Sequence, residues 1–199
     1  MSSTTTPSTT ASGVASPVRR NGVDTAALFA TIDAVRAQPG LADFRFRAHT
    51  RWVSGTFNRT TIGDFHGAGT EQHRDRPFTV EADHPAVLVG EDRAPTPAEH
   101  LLQALGSCLM SGLANIAAAR GVELGEVTAE VEGDIDLRGI LGIDPDVRNG
   151  FSGVRVTFRA GVGTDVAALR RLVEQAQARS AVYDTLTRGT AITIGTAAA

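Results

Sequence analysis

Apolar and polar positions along this chain follow two different periods, and their alternation predicts the order of its elements. From Asp24 to Gln38, Ala27, Leu28, Ile32 and Val35 recur at helical spacing, with Asp24 as the cap and Pro39-Gly40 as the stop. Phe44 to Val53 alternates like a strand, with Phe44, Phe46, Ala48 and Trp52 facing inward, and Ser54-Gly55 breaks it. Arg59 to Phe65 returns as the second arm of a hairpin, and the polar, glycine-containing HGAGTEQHRDR reads as a mobile loop. PFTVEAD and AVLVG read as two short strands around a turn at His84-Pro85.

The longest apolar segment, Ala94 to Leu124, predicts a helix from about Pro97 to Arg120, roughly 35 Å long. Thr96 and Glu99 have capping-box spacing, Pro97 suits a first turn, and Gly121 suits the stop. Leu101, Leu102, Leu105, Leu109, Met110, Leu113 and Ile116 do not fit on one stripe, so the helix should be buried all round. Its length would also suit a membrane span. A polar line through Gln103, Ser107, Ser111 and Asn115 favours a core helix instead.

Past this helix, Glu126 to Leu137 alternates cleanly. Val127, Ala129, Val131, Ile135 and Leu137 form one face; Glu126, Glu130, Glu132, Asp134 and Asp136 form the other. The acidic row reads as a solvated strand face more readily than as a cation site. A long turn, GILGIDPDVRNGF, leads to a strand from Val154 to Ala160. Asp165 then caps an amphipathic helix with Val166, Leu169, Leu172, Val173 and Ala176 on its buried face. SAVYDTL reads as a short helix and TAITIG as a closing strand. The fold class is α+β with a mainly antiparallel sheet. The Ser/Thr-rich residues 1–20 read as a disordered tail, and 21–199 as one domain.

Composition narrows the function. A net charge of -3 gives no ground for binding nucleic acid or an anionic membrane. All 19 basic residues are arginine, which looks like codon bias and not a functional signal. One cysteine excludes an intramolecular disulfide and any multi-cysteine metal site. His49, His66, His73, His84 and His100 lack ligand spacing, and there is no phosphate-binding or dinucleotide fingerprint. No cofactor or metal is expected, and a soluble cytoplasmic protein is the default.

Cys108 is therefore the one candidate for thiol chemistry. It shares a helix side with Leu101, Ala104, Leu105, Ser111, Gly112 and Asn115, about three turns from the helix start. Burial there would leave it an inert core residue; reactivity would need a positive group brought from elsewhere.

The segment TPAEHLLQALGSCL resembles the OsmC/Ohr family, the osmotically inducible and organic-hydroperoxide-resistance proteins. RPFTVEADHP, VEGDIDLRGILGIDPDVRNGFSGVRVTF and RSAVYDTLTRGTAITI extend the likeness over about 21–194. The resemblance implies an intertwined homodimer whose sheet wraps two central helices. It implies that the Cys108 thiolate attacks an organic hydroperoxide, with an arginine of the first hairpin and a glutamate ahead of the helix assisting. Arg59 is the best match for that arginine, ahead of Arg51. Glu99 is the nearest match for the acid, but it lies nine residues before the cysteine, and Ala98 holds the family's position ten before. It would sit about 180° round the helix and ~13 Å away, so it serves either a partner's site or the cap alone. Where two-cysteine relatives have a resolving cysteine before Pro-Val, this chain has Ser180-Ala181-Val182. Turnover would need an external thiol; the alternative is a non-catalytic dimer that binds a small apolar ligand or senses oxidants.

Overall fold

Side-chain caps and left-handed turn residues set the boundaries of most elements. The computed structural model describes residues 19–198. The expected disordered tail falls outside the described residues except for Arg19 and Arg20. These two form β1 (Arg19–Arg20), paired with β2 (Val23–Asp24). Asp24 caps α1 (Thr25–Ala37) by accepting from the Ala27 amide.

The first sheet is antiparallel, in the order β3 (His49–Ser54), β4 (Phe57–Ile62) and then β7 (Phe78–Ala82). Regular pairing begins only at His49, because the preceding stretch leaves for β5 (Phe65–Gly67) through the Arg45–His66 bridge. Phe44 and Phe46 gather on Phe65, with Phe46 5.3 Å from its ring. The expected inward face is therefore open: Phe46 is 69% and Trp52 71% exposed in the single chain, with Phe44 and Ala48 exposed as well.

The segment expected to be a mobile loop contains a second hairpin, β5 against β6 (Thr70–Gln72). Its two-residue turn puts both Ala68 (φ 51°) and Gly69 (φ 79°) in the left-handed region, the twist that suits paired strands. AVLVG is not a strand either. It forms a 3-10 turn at Ala86–Leu88 followed by a left-handed Val89.

The cause is Asp83, buried, whose carboxylate accepts from the Thr56 hydroxyl (2.5 Å) and the amides of His84 (2.8 Å), Arg93 (3.2 Å) and Glu91 (3.3 Å). A side chain that gathers these amides replaces a strand ladder. The Thr56 hydroxyl, then the three amides, pull the Asp83 carboxyl down to about 2, against the opposing effect of desolvation. Its folded value lies below its ordinary 3.8, so its stabilising share is full above that value and is lost as pH falls through about 2. Asp83→Asn should lower Tm at neutral pH and flatten the fall of Tm between about pH 4 and about pH 2. Thermal melts across that range check both, and wild-type melts in the variant would remove this role.

α2 (Pro97–Arg120) forms as the sequence predicts. Thr96 and Glu99 exchange both capping-box bonds, and Gly121 closes the helix at φ 67°. It is long and apolar enough to cross a membrane, yet here it packs on two later helices and on β8 (Val127–Asp134). β8 pairs with β9 (Gly153–Ala160), and α3 (Leu137–Ile140) interrupts the expected long turn between them. The acidic face of β8 is answered by β9: Arg159 pairs with Glu130, and Arg155 with Glu132 and Asp134.

α4 (Val166–Ala178) and α5 (Ala181–Arg188) complete the described chain. Leu113, Ile116 and Ala117 of α2 meet Leu169, Leu172 and Ala176 of α4 in the core. Gly112 lets the two helices come close, since a Cβ there would already touch Ala176. Val166, expected on the buried face, is 63% exposed because it is the first residue of α4 and lies off the packed stripe. TAITIG forms no strand: no ladder pairs it among the described residues, and Ile192 and Ile194 are exposed. The all-round burial expected of α2 is only half met, since Gln103, Ser107, Ser111 and Asn115 are exposed.

Candidate functional site

The chain places Cys108 in the middle of α2, partly exposed, where the junction of α4 and α5 crosses it. Ser180 stands at that junction. It is 5% exposed, and its hydroxyl donates to the Cys108 Sγ at 3.1 Å. The same oxygen accepts from the Tyr183 amide at 3.1 Å, which makes Ser180 the N-cap of α5. Tyr183 in turn accepts at its own hydroxyl from the Gln177 side chain at 2.8 Å. One serine thus ends the turn after α4, starts α5 and reaches the sulfur.

A cleft of about 630 Å³ lies between the first half of α2, the start of β9 and α5. Leu101 and Leu105, on the Cys108 side of α2, form one wall, and Phe151, Val156, Tyr183 and Leu186 line the rest. Arg148 and Asn149, on the loop before β9, sit at its polar part. Leu105 stands one helical turn before Cys108 on α2, and Tyr183 one turn into the helix that Ser180 caps.

The other two candidate residues are engaged elsewhere in the single chain. Arg59 lies on β4, and its Nε and Nη2 donate to the Glu81 Oε1 at 2.9 and 2.7 Å. Arg51 is its cross-strand neighbour on β3. Glu99 accepts at Oε2 from the Thr96 amide (2.7 Å) and hydroxyl (2.9 Å), and these bonds hold its carboxyl below the usual range. It lines a different groove, with Gln103, Gly106, Met110 and Val131, on the side of α2 away from Cys108. Among the described residues, the hydrogen bond to the sulfur is Ser180's alone. His100 has a positioning role: its Nε2 donates to the Glu81 carbonyl at 2.8 Å and ties the first sheet to the start of α2.

Residues 90–195, more than half of the chain, match the family model for OsmC-like protein. This chain belongs to the OsmC-like family. The matched segment contains α2, Cys108, Ser180 and the whole cleft. The fold agrees. An organic hydroperoxide resistance protein OsmC from Legionella pneumophila aligns at TM-score 0.52 and 17% identity, over 72% of this chain and 89% of that one. An OsmC-like protein from Mycoplasma pneumoniae aligns at TM-score 0.53 and 12% identity, over 71% and 86%. A putative osmotic stress induced and detoxification response protein from Psychrobacter arcticus aligns at TM-score 0.51 and 16% identity, over 71% and 88%. No curated protein matches the sequence. At these identities the solved structures speak for the OsmC-like fold: antiparallel sheets around a long central helix.

In the sequence, Ser180 opens the short helical stretch SAVYDTL and stands where the family resemblance places a second cysteine. Its role as a cap was written in the sequence, since a serine directly before a short helical stretch is an N-cap signal. Its contact with Cys108 was not, because 72 positions separate the two.

Proposed function

We propose that this OsmC-like protein reduces organic hydroperoxides to alcohols at Cys108, with an external thiol closing the cycle. The observation that carries the reading is the sulfur itself: it is partly exposed and accepts a hydrogen bond from a buried hydroxyl, and Leu105, three residues before it on α2, lines an apolar cleft. The thiolate attacks the terminal peroxide oxygen, forming an S–O bond as the O–O bond breaks. Sulfur is oxidised to a sulfenic acid, and the departing alkoxide takes a proton to leave as the alcohol. One external thiol then condenses with the sulfenic acid, releasing water and leaving a mixed disulfide. A second external thiol frees Cys108. The apolar lining favours an alkyl or aryl peroxide over hydrogen peroxide, whose small polar body gains nothing from it.

Two chains make the working unit in this proposal. Phe44, Phe46, Trp52 and Phe78 are all exposed in the single chain, and exposed patches of large apolar side chains mark interaction surfaces. Arg59 would then act on the Cys108 of the other subunit, where a guanidinium supports the thiolate and the leaving alkoxide; Glu99 would act there too. Sedimentation equilibrium should give twice the 20.8 kDa of one chain, and a monomer would remove this part of the reading.

The catalytic proposal is tested by peroxide consumption. With dithiothreitol present the wild-type protein should consume cumene hydroperoxide, and dimedone should capture a sulfenic acid on Cys108. Ser180 favours one second reading, a thiol sensor, because the chain cannot resolve that sulfenic acid itself. A dimedone adduct without turnover decides for the sensor; neither adduct nor turnover overturns both.

A further inference from the structure

We propose that Ser180 is a positioning residue for the Cys108 thiolate, tying the sulfur to the N-terminal end of α5. A serine hydroxyl has one proton to give and two lone pairs to offer. The Tyr183 amide takes one lone pair at 3.1 Å, and the proton is directed at the Cys108 Sγ, also at 3.1 Å. A hydrogen bond to the charged form of a group favours that form, and ionised acceptors bind donors about twice as strongly as neutral ones. At 5% exposure little water competes for the hydroxyl.

The placement adds a second effect. Ser180 is the cap of α5, an eight-residue helix, so the sulfur lies against the helix end that carries partial positive charge. The start of α2, some three turns away, could not supply this. The charged groups flanking the contact do not replace it: Arg179 is exposed, and Asp184 in the first turn of α5 is paired with Arg188 at 3.1 Å. Arg59, bound to Glu81, is not at the sulfur in the single chain. Ser180 thus contributes a donor from within the same chain, whatever a second subunit adds. Unlike a cysteine at this position it cannot close a disulfide, so the bond can persist while Cys108 awaits the peroxide.

This inference rests on the reading of Cys108 as a reactive thiol, yet it can be tested without any peroxide. Ser180→Gly removes the hydroxyl but keeps a residue that is tolerated at an N-cap. Ser180→Thr keeps both the hydroxyl and the cap. Iodoacetamide alkylation of Cys108 is followed against pH in the full chain, with thermal melts as the check on folding. In Ser180→Gly the rate at neutral pH should fall about tenfold and the profile should move to higher pH. Ser180→Thr should stay near wild type. An unmoved profile in Ser180→Gly overturns the inference, as does a Ser180→Thr profile displaced as far as that of Ser180→Gly. If the profile moves while wild type consumes no hydroperoxide, Ser180 keeps its role and the peroxidase reading fails. If wild type consumes hydroperoxide and the profile stays put, the reverse holds.

Discussion

Cys108→Ser consumes cumene hydroperoxide no faster than dithiothreitol does alone, a loss of roughly 10³-fold or more, as expected when a nucleophile is removed. The chain has a single cysteine, so nothing else can form a sulfenic acid and be recycled by a dithiol. Met110, the one methionine among the described residues, lines the groove on the other side of α2. A thioether can take up an oxygen but is not restored by a dithiol, so it yields at most one turnover. Serine at position 108 is nearly the size of cysteine and can still accept from Ser180, so the melt should stay close to wild type. Reactivity and packing are thereby separated. Equal consumption by wild type and Cys108→Ser would leave the OsmC-like fold intact and end the enzymatic proposal.

The parts of the fold legible in the sequence are those whose cause is local. The limits of α2 follow from Thr96, Glu99 and Gly121, all within a few residues of the ends they define. The same holds for Asp24 before α1 and Asp165 before α4. β8 was readable because burial against α2 on one face and arginines on the other impose a period of two. Resemblance to the OsmC/Ohr family was legible for a related reason, since its motif spans one cap and one helix.

What could not be read depends on partners distant along the chain. Asp83 turned AVLVG from a strand into a folded loop by capturing amides up to ten residues away. Ala68 gave no sign that it would accept a left-handed backbone, so the β5–β6 hairpin passed for loop. At the site, the sequence indicated the helix and side that carry Cys108, and the hydrophobic character of what lies beside it. It gave no means of seeing that Ser180 would be a hydrogen-bond donor to a sulfur 72 positions away. The alternating FRFRAHTRWV and TAITIG carry the pattern of buried strands, yet their apolar side chains remain exposed in one chain. A pattern records what is covered in the working molecule, and the second subunit proposed above is what would cover these.

Leu113→Ala should be the most damaging conservative truncation in the core, costing about 2–5 kcal/mol. Leu113 has no exposed surface and stands where α2 meets α4, among Ile116, Ala117, Leu169, Leu172 and Ala176. Its neighbours are fixed on two rigid helices, and Gly112 already brings the α2 backbone against Ala176, so neither helix can shift far to close the hole. For a chain of this length such a loss lowers Tm by about 5–15 °C. Val166→Ala, at an exposed position on α4, is the control and should stay within about 0.5 kcal/mol of wild type. Urea unfolding with a common m-value compares the two. The loss should also reach the site, because Ser180 follows directly on the C-cap of α4 and α2 carries Cys108: loosening their junction lets the 3.1 Å contact open. Cys108 alkylation in Leu113→Ala, measured well below its Tm, should therefore slow at neutral pH in the same direction as in Ser180→Gly, whereas in Val166→Ala it should not. If Leu113→Ala is as stable as Val166→Ala, the α2–α4 packing is not what holds the thiol and its serine in register.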